Sequence, residues 1–211
     1  MRLAAKGLPL VRVNPAVTFG QGDVHVTSTR LVRSFLLGRV PAYADGGINV
    51  VAVRDVAQGH LLADERGKVG ERYILGGRNF TFDRLFADLG RISGVDPPVK
   101  VPVGLATTIL GALAIGPGRT TLSPHELMVA SQFWTYRSTK AKRALGWKPR
   151  SHEETLEATV RWHIEREHER ILRGRSSRQL QYRLVGTALQ VGDSVIGAPG
   201  RVLRGLTALR R

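Results

Sequence analysis

Residues 7–15 read Gly7-Leu8-Pro9-Leu10-Val11-Arg12-Val13-Asn14-Pro15, and the apolar, β-favouring centre of this stretch decides the fold. A short, near-continuous apolar run marks a strand buried on both faces, the kind found in parallel sheets. The spacing predicts a strand over Leu8–Val13 that stops at Asn14-Pro15. Lys6-Gly7, just upstream, has the form of a helix end with Gly at the left-handed cap position. Only six residues precede that glycine, too few for a stable helix of their own, so the chain is expected to open at the end of a helix.

Downstream, a polar, Gly-containing loop covers Thr18 to Ser28. Arg30–Leu37 is expected to be helical, with Leu31, Phe35 and Val32 on one face and Gly38 as its cap. Pro41 and Asp45-Gly46-Gly47 form a turn. Ile48-Asn49-Val50-Val51-Ala52-Val53 is a second buried strand. Asp55 is placed to cap a helix over Val56–Ala63, its carboxylate accepting the free N–H groups of the first turn. A third strand covers Gly70–Leu75. Thr81 caps a helix over Phe82–Ser93, where Leu85, Phe86, Leu89 and Ile92 recur at helical spacing. Thr139 caps a short helix ended by Gly146-Trp147-Lys148-Pro149. Ser151 or His152 opens a longer one whose apolar stripe is Leu156, Val160, Ile164 and Ile171. Strands alternating with helices give an α/β fold with a parallel sheet.

The 211 residues carry 32 Lys+Arg against 17 Asp+Glu, a net charge of +15, and no cysteine. Without Cys there is no disulfide scaffold, cysteine-zinc site or thiol nucleophile. Hydrophobic residues make up 42% of the chain, too many for disorder by composition. The charge is uneven: residues 170–211 hold nine Arg and one acidic residue, Asp193, so the body is only mildly basic. The chain divides into a body, 1–172, and an Arg-rich extension, 173–211. The longest apolar run, Val103–Gly116, is broken by Gly104, Thr107, Thr108 and Gly111. It is shorter than the ~20 residues that span a bilayer and reads as a core or interfacial helix. The histidines are scattered; His163 and His168, five apart, make no metal site. Trp134, Trp147 and Trp162 read as packing residues rather than a platform for stacking bases.

An α/β chain invites a search for a phosphate-cradling glycine loop, which places a diphosphate on a helix N-terminus. No Gly-x-Gly-x-x-Gly and no Gly-x-x-x-x-Gly-Lys occurs; Gly20-Gln21-Gly22 and Gly116-Pro117-Gly118 are isolated turn pairs. Tyr136-Arg137-Ser138-Thr139-Lys140 spells Tyr-x-x-x-Lys, with Ser123 upstream. Such a pair can pass a proton to a carbonyl oxygen. In so basic a sequence, however, a chance match is the stronger reading.

The ordered segments carry a more specific signal than any single motif. Gly7 to Pro15 followed by Gly20 and Asp23, then Pro41-Ala42-Tyr43, then Asn49 to Ala63, then Gly70 to Gly77, then Lys140-Ala141-Lys142-Arg143-Ala144-Leu145-Gly146-Trp147-Lys148-Pro149, resemble the extended short-chain dehydrogenase/reductase family. The nearest branch is that of hopanoid-associated sugar epimerases and dihydroflavonol-4-reductase-like members. The resemblance covers about Gly7 to His168. It implies the C-terminal portion of a Rossmann-type parallel sheet with the smaller substrate-binding region, mostly helical in its second half. In that family the glycine loop and the catalytic Ser/Thr, Tyr and Lys lie upstream of this segment, and the Tyr136/Lys140 pair falls where a late Leu-Gly segment belongs. The expected function is therefore the substrate-side half of an NAD(P)-dependent sugar epimerase/dehydratase or reductase, inactive by itself and partnered by an N-terminal half.

The resemblance also assigns site residues. Asn14, Pro15, Ala16 and Val17 would lie against the nicotinamide of NAD or NADP; Asn14, Thr27, Thr29 and Arg30 would face a sugar or related carbonyl or hydroxyl substrate. Gly47-Ile48-Asn49 replaces the Arg with which nucleotide-sugar epimerases of the family grip a diphosphate, which weighs against that substrate class. A cytoplasmic location and a dimer are compatible with the family. The alternative reading is a non-catalytic interaction protein whose basic extension meets an anionic membrane, with nucleic acid the weaker expectation. With sheet neighbours missing, Leu8–Val13 and Asn49–Val53 are expected to leave apolar edges that promote aggregation.

Overall fold

In the computed structural model, which describes residues 4–40, 42–104 and 131–173, the elements follow in the order β1 (Arg12–Pro15), β2 (Val17–Phe19), α1 (Arg30–Leu36), β3 (Ala42–Tyr43), β4 (Gly47–Ala52), α2 (Val53–Arg66), β5 (Arg72–Leu75), β6 (Arg78–Thr81), α3 (Phe82–Ser93), β7 (Val99–Lys100), β8 (Phe133–Trp134), α4 (Thr139–Leu145) and α5 (152–173). β1 and β5 pair in parallel, Arg12 beside Arg72 and Pro15 beside Leu75. β4 pairs in parallel with β2 and β8 and antiparallel with β6; β3 and β7 form a third, parallel pair. The α/β architecture with parallel strands is as expected. No described helix is long and apolar enough to cross a membrane. Most of Val103–Gly116, Ser123 and the extension beyond 173 lie outside the described residues.

β4 shows why its sequence lacks alternation. Val50 belongs to one core, with Phe19, Phe35, Phe80, Phe86 and Leu156, whereas Val51 belongs to another, with Tyr73, Leu75, Leu145 and Trp147. A strand between two cores needs apolar residues at consecutive positions. Two of the expectations for edges and ends change. The first strand begins later than Leu8 and runs through Asn14 and Pro15. Arg12 N–H donates to Glu71 O, just before β5, and Ala16 N–H to Leu75 O within it, so the donorless Pro15 nitrogen faces the other edge, where a strand tolerates it. β4 is not stripped of neighbours, having three partners; β1 has only β5 among the described residues.

Helix ends show which local signals held. Thr81 Oγ1 accepts Arg84 N–H (3.3 Å), and Gly94 closes α3 in the left-handed region, with Leu85, Phe86 and Leu89 buried as spaced. Ser151 Oγ accepts Glu154 N–H (3.2 Å) ahead of α5, which buries Leu156, Val160 and Ile171. In α1 the buried residues are Val32, Phe35 and Leu36. Thr139 is the first residue of α4 rather than its cap; Ser138 takes the cap position without a side-chain bond. Asp55 does not cap α2 either. The helix starts two residues earlier, with Ala52 as its cap, and the Asp55 carboxylate turns instead to Arg150. Trp147 is fully buried, but Trp134, expected in the packing, is 44% exposed.

Candidate functional site

β1 ends at Asn14 and Pro15, both exposed, at the carboxyl end of its strand pair. Open α/β sheets bind ligands at that end. Ala16 N–H donates to Leu75 O (3.1 Å) and Thr18 Oγ1 donates to Ala16 O (3.1 Å), which pins the chain as it passes from β1 into β2.

The loop that follows is organised by Asp23. Oδ1 accepts Thr27 N–H (3.0 Å) and its hydroxyl (3.2 Å); Oδ2 accepts Thr29 N–H (2.9 Å) and its hydroxyl (2.8 Å). Burial raises the Asp23 pKa, but these four donors outweigh it and bring the carboxyl down to about 2. The turn holds Val26 at φ 52°, a position β-branched residues rarely adopt. Such strain persists only where surroundings enforce it, and it gathers at functional loops.

α5 clamps the loop from behind. His163 Nε2 lies 3.0 Å from Thr29 Oγ1, and both residues are almost fully buried. Thr29 gives its hydroxyl proton to Asp23, so it takes a proton from Nε2; the other ring nitrogen, Nδ1, is buried with no partner. Nearby, Arg33 of α1 makes a two-pronged pair with Glu167 of α5 (2.5 and 2.7 Å). A shallow groove of about 580 Å³ runs between the loop residues Val24 and Val26 and the Arg33–Glu167 pair. Thr27 and Arg30 are exposed beside this assembly, whereas the Thr29 hydroxyl is spent on Asp23 and His163.

The fit to a dinucleotide is one-sided. Asn14 to Val17 offer an accessible wall, but the β4-to-α2 turn passes from Ala52 to Val53 without a glycine and so offers no cradle for a diphosphate.

No family model matches the chain. It is 36% identical over 169 residues to a Synechocystis protein assigned by name to the dihydroflavonol 4-reductases, covering 75% of this chain and 49% of that one. Its fold matches the crystal structure of gox2253 (35% identity, TM-score 0.63, 80% of this chain and 54% of that chain). It also matches PA4631, a nucleoside-diphosphate-sugar epimerase from Pseudomonas aeruginosa (27% identity, TM-score 0.64, 78% and 51%). These similarities agree with the resemblance to the extended short-chain dehydrogenase/reductase family. The chain spans about half the length of the relatives it matches.

The Tyr136/Lys140 pair is not arranged as the proton-transfer pair of a short-chain dehydrogenase/reductase. Lys140 is ion-paired with Glu71 and lies 5.2 Å from the centre of the Tyr73 ring, while Tyr136 is held through its backbone by Asn79. Residues assigned no role at the site from the sequence carry more of the geometry: Asp23, His163, and the Arg33–Glu167 pair. Only Asp23, with Thr27 and Thr29 four and six positions on, left a local trace; His163 meets Thr29 across 134 residues.

These titrations make stability depend on pH in two windows. Burial lowers the His163 pKa, opposed by Glu167 and Asp23 and assisted by Arg33 and Arg166. The unfolded chain then takes up the histidine proton first, so stability falls as pH drops below about 6.5. Asp23 is depressed in the fold; its contribution is full above 3.8 and is lost as pH falls towards 2. Urea midpoints measured from pH 7.5 to 3 are expected to fall in both windows. His163→Gln should flatten the upper window alone, and Asp23→Asn should shrink the lower, which Glu167 and Asp83, also depressed in the fold, share. An unchanged upper slope in His163→Gln would remove His163 from this account.

Proposed function

We propose that this chain supplies the substrate-facing wall of an NAD(P)-dependent epimerase or reductase site, completed by a segment bearing the glycine loop and the Tyr/Lys helix. The observation that carries the reading is the exposed Asn14-Pro15 pair at the carboxyl end of a parallel strand, beside a loop locked by Asp23. Asn14, Pro15, Ala16 and Val17 would form the nicotinamide side. Asn14, Thr27 and Arg30 would meet the substrate, with Thr29 holding Thr27 and Arg30 in place through Asp23 and His163. The role of these residues is to bind and orient; the bound cofactor supplies the hydride chemistry. The substrate is a small sugar or a related carbonyl or hydroxyl compound. The proposed setting is cytoplasmic, as a dimer, with residues 173–211 available for an anionic membrane surface.

Co-expression with a polypeptide carrying the family's glycine loop and Tyr-x-x-x-Lys helix tests this. The combined protein is expected to turn over a reduced or oxidised nicotinamide cofactor, and neither piece alone to do so. Asn14→Ala should lower kcat/KM roughly tenfold or more, the worth of one lost uncharged hydrogen bond in a transition state. Full activity in Asn14→Ala, or no turnover by the combined protein with any sugar or ketone offered, would sink the reading.

A further inference from the structure

The parallel register of β1 and β5 sets Arg12 directly beside Arg72. Neighbouring strands lie ~4.8 Å apart, and like charges placed side by side on one face repel. Val13, Tyr73 and Leu75 turn to the core beneath α2 and α4, so strand alternation puts Arg12, Arg72 and Ile74 on the opposite face. There they line a concavity of about 390 Å³ together with Arg137, Lys140 and Glu71. Glu71 is its one carboxylate, and it is taken by Lys140. Among the described residues, none of the guanidinium groups of Arg12, Arg72 and Arg137 has an ion-pair partner. The backbone just before Arg137 is fixed: Tyr136 N–H donates to Asn79 Oδ1 (3.1 Å), and Asn79 Nδ2 donates to Tyr136 O (3.3 Å).

We propose that this concavity is an anion site for a phosphate monoester or diphosphate group. Three uncompensated forks match a group with at least two charges and several acceptor oxygens, and each fork can engage two oxygens. A carboxylate would satisfy only one of them. Arg12 and Arg72 are the first residues of their strands, so the charged end of the site lies at the amino end of the pair. Ile74, the register partner of Asn14, also lines the concavity, so the site adjoins the substrate wall. The same group could arrive on a soluble phosphorylated metabolite or on a phospholipid headgroup.

Calorimetric titration of the full chain with inorganic pyrophosphate tests the site, with flotation on phosphatidate vesicles as the second arm. Arg12→Ala and Arg72→Ala are each expected to weaken pyrophosphate binding about tenfold, as for loss of one charge-assisted hydrogen bond. Glu71→Gln, which removes the one carboxylate, should tighten it severalfold. Arg39→Ala, an exposed cation after α1, should change nothing. Sensitivity of pyrophosphate binding to the two variants assigns a soluble ligand; sensitivity of vesicle binding alone assigns a headgroup. The proposal is overturned if both variants stay within about twofold of the native chain in both arms, or if Arg39→Ala does as much.

Discussion

Trp147→Ala is expected to cost about 4 kcal/mol of folding stability, within the 3–5 kcal/mol range for emptying a large buried aromatic site. A domain of this kind holds only some 5–15 kcal/mol in total, so the variant should be partly unfolded at modest urea. Trp147 is fully buried in the core shared by Val51, Tyr73, Leu75, Ala141 and Leu145. It follows Gly146, whose φ of 71° turns the chain back after α4 and delivers the indole beneath α2. Gly59 makes the room: a Cβ there would lie 2.3 Å from Leu75 Cδ1 and 3.1 Å from the indole nitrogen. Trp147 Nε1 also donates to Asp55 O (2.9 Å). Trp147→Phe keeps most of the apolar area but strands that carbonyl, and should cost about 1–3 kcal/mol. Equilibrium unfolding followed by circular dichroism measures both. A loss below about 1.5 kcal/mol for Trp147→Ala would mean that the core collapses around the gap.

The elements that sequence reading recovered best are those whose signals are local. α3 came out residue for residue because its cap, its apolar spacing and its terminal glycine all lie within fourteen positions. β4 was legible because two cores demand apolar neighbours along it. β6 was not, since Arg78-Asn79-Phe80-Thr81 has no strand pattern of its own and is defined by pairing with β4. The family was legible because several short segments keep their order, even though the dinucleotide loop does not occur in the chain. At the candidate site, the exposed Asn14 and Thr27 could be assigned by resemblance, but not the groups that hold them. Thr29–His163 and Arg33–Glu167 each join residues 134 positions apart. Nothing in the spacing of a single chain marks such a pair.

Asp55→Ala is expected to cost about 3 kcal/mol, because it breaks a buried pair and leaves its partners unmatched. The Asp55 side chain is 4% exposed and accepts twice from Arg150: the backbone N–H to Oδ2 (2.8 Å) and Nε to Oδ1 (2.9 Å). This joins the first turn of α2 to the segment between α4 and α5, across 95 residues and next to the Trp147–Asp55 bond. Arg150 is 32% exposed, so water compensates part of its loss, and Arg150→Ala should cost only about 1 kcal/mol. The backbone donor survives in that variant. The pair should therefore show a coupling of roughly 0.5–2 kcal/mol in a double-mutant cycle rather than account for the whole effect. Asp55→Asn separates the clamp from a helix cap. Asn caps a helix about as well as Asp, so a capping residue would tolerate the change. A clamp would not: the amide keeps one acceptor, loses the charge and places a donor against Arg150, for a cost of about 1.5–2 kcal/mol. Near-native urea midpoints for Asp55→Asn, with no coupling to Arg150, would return Asp55 to the role of a cap.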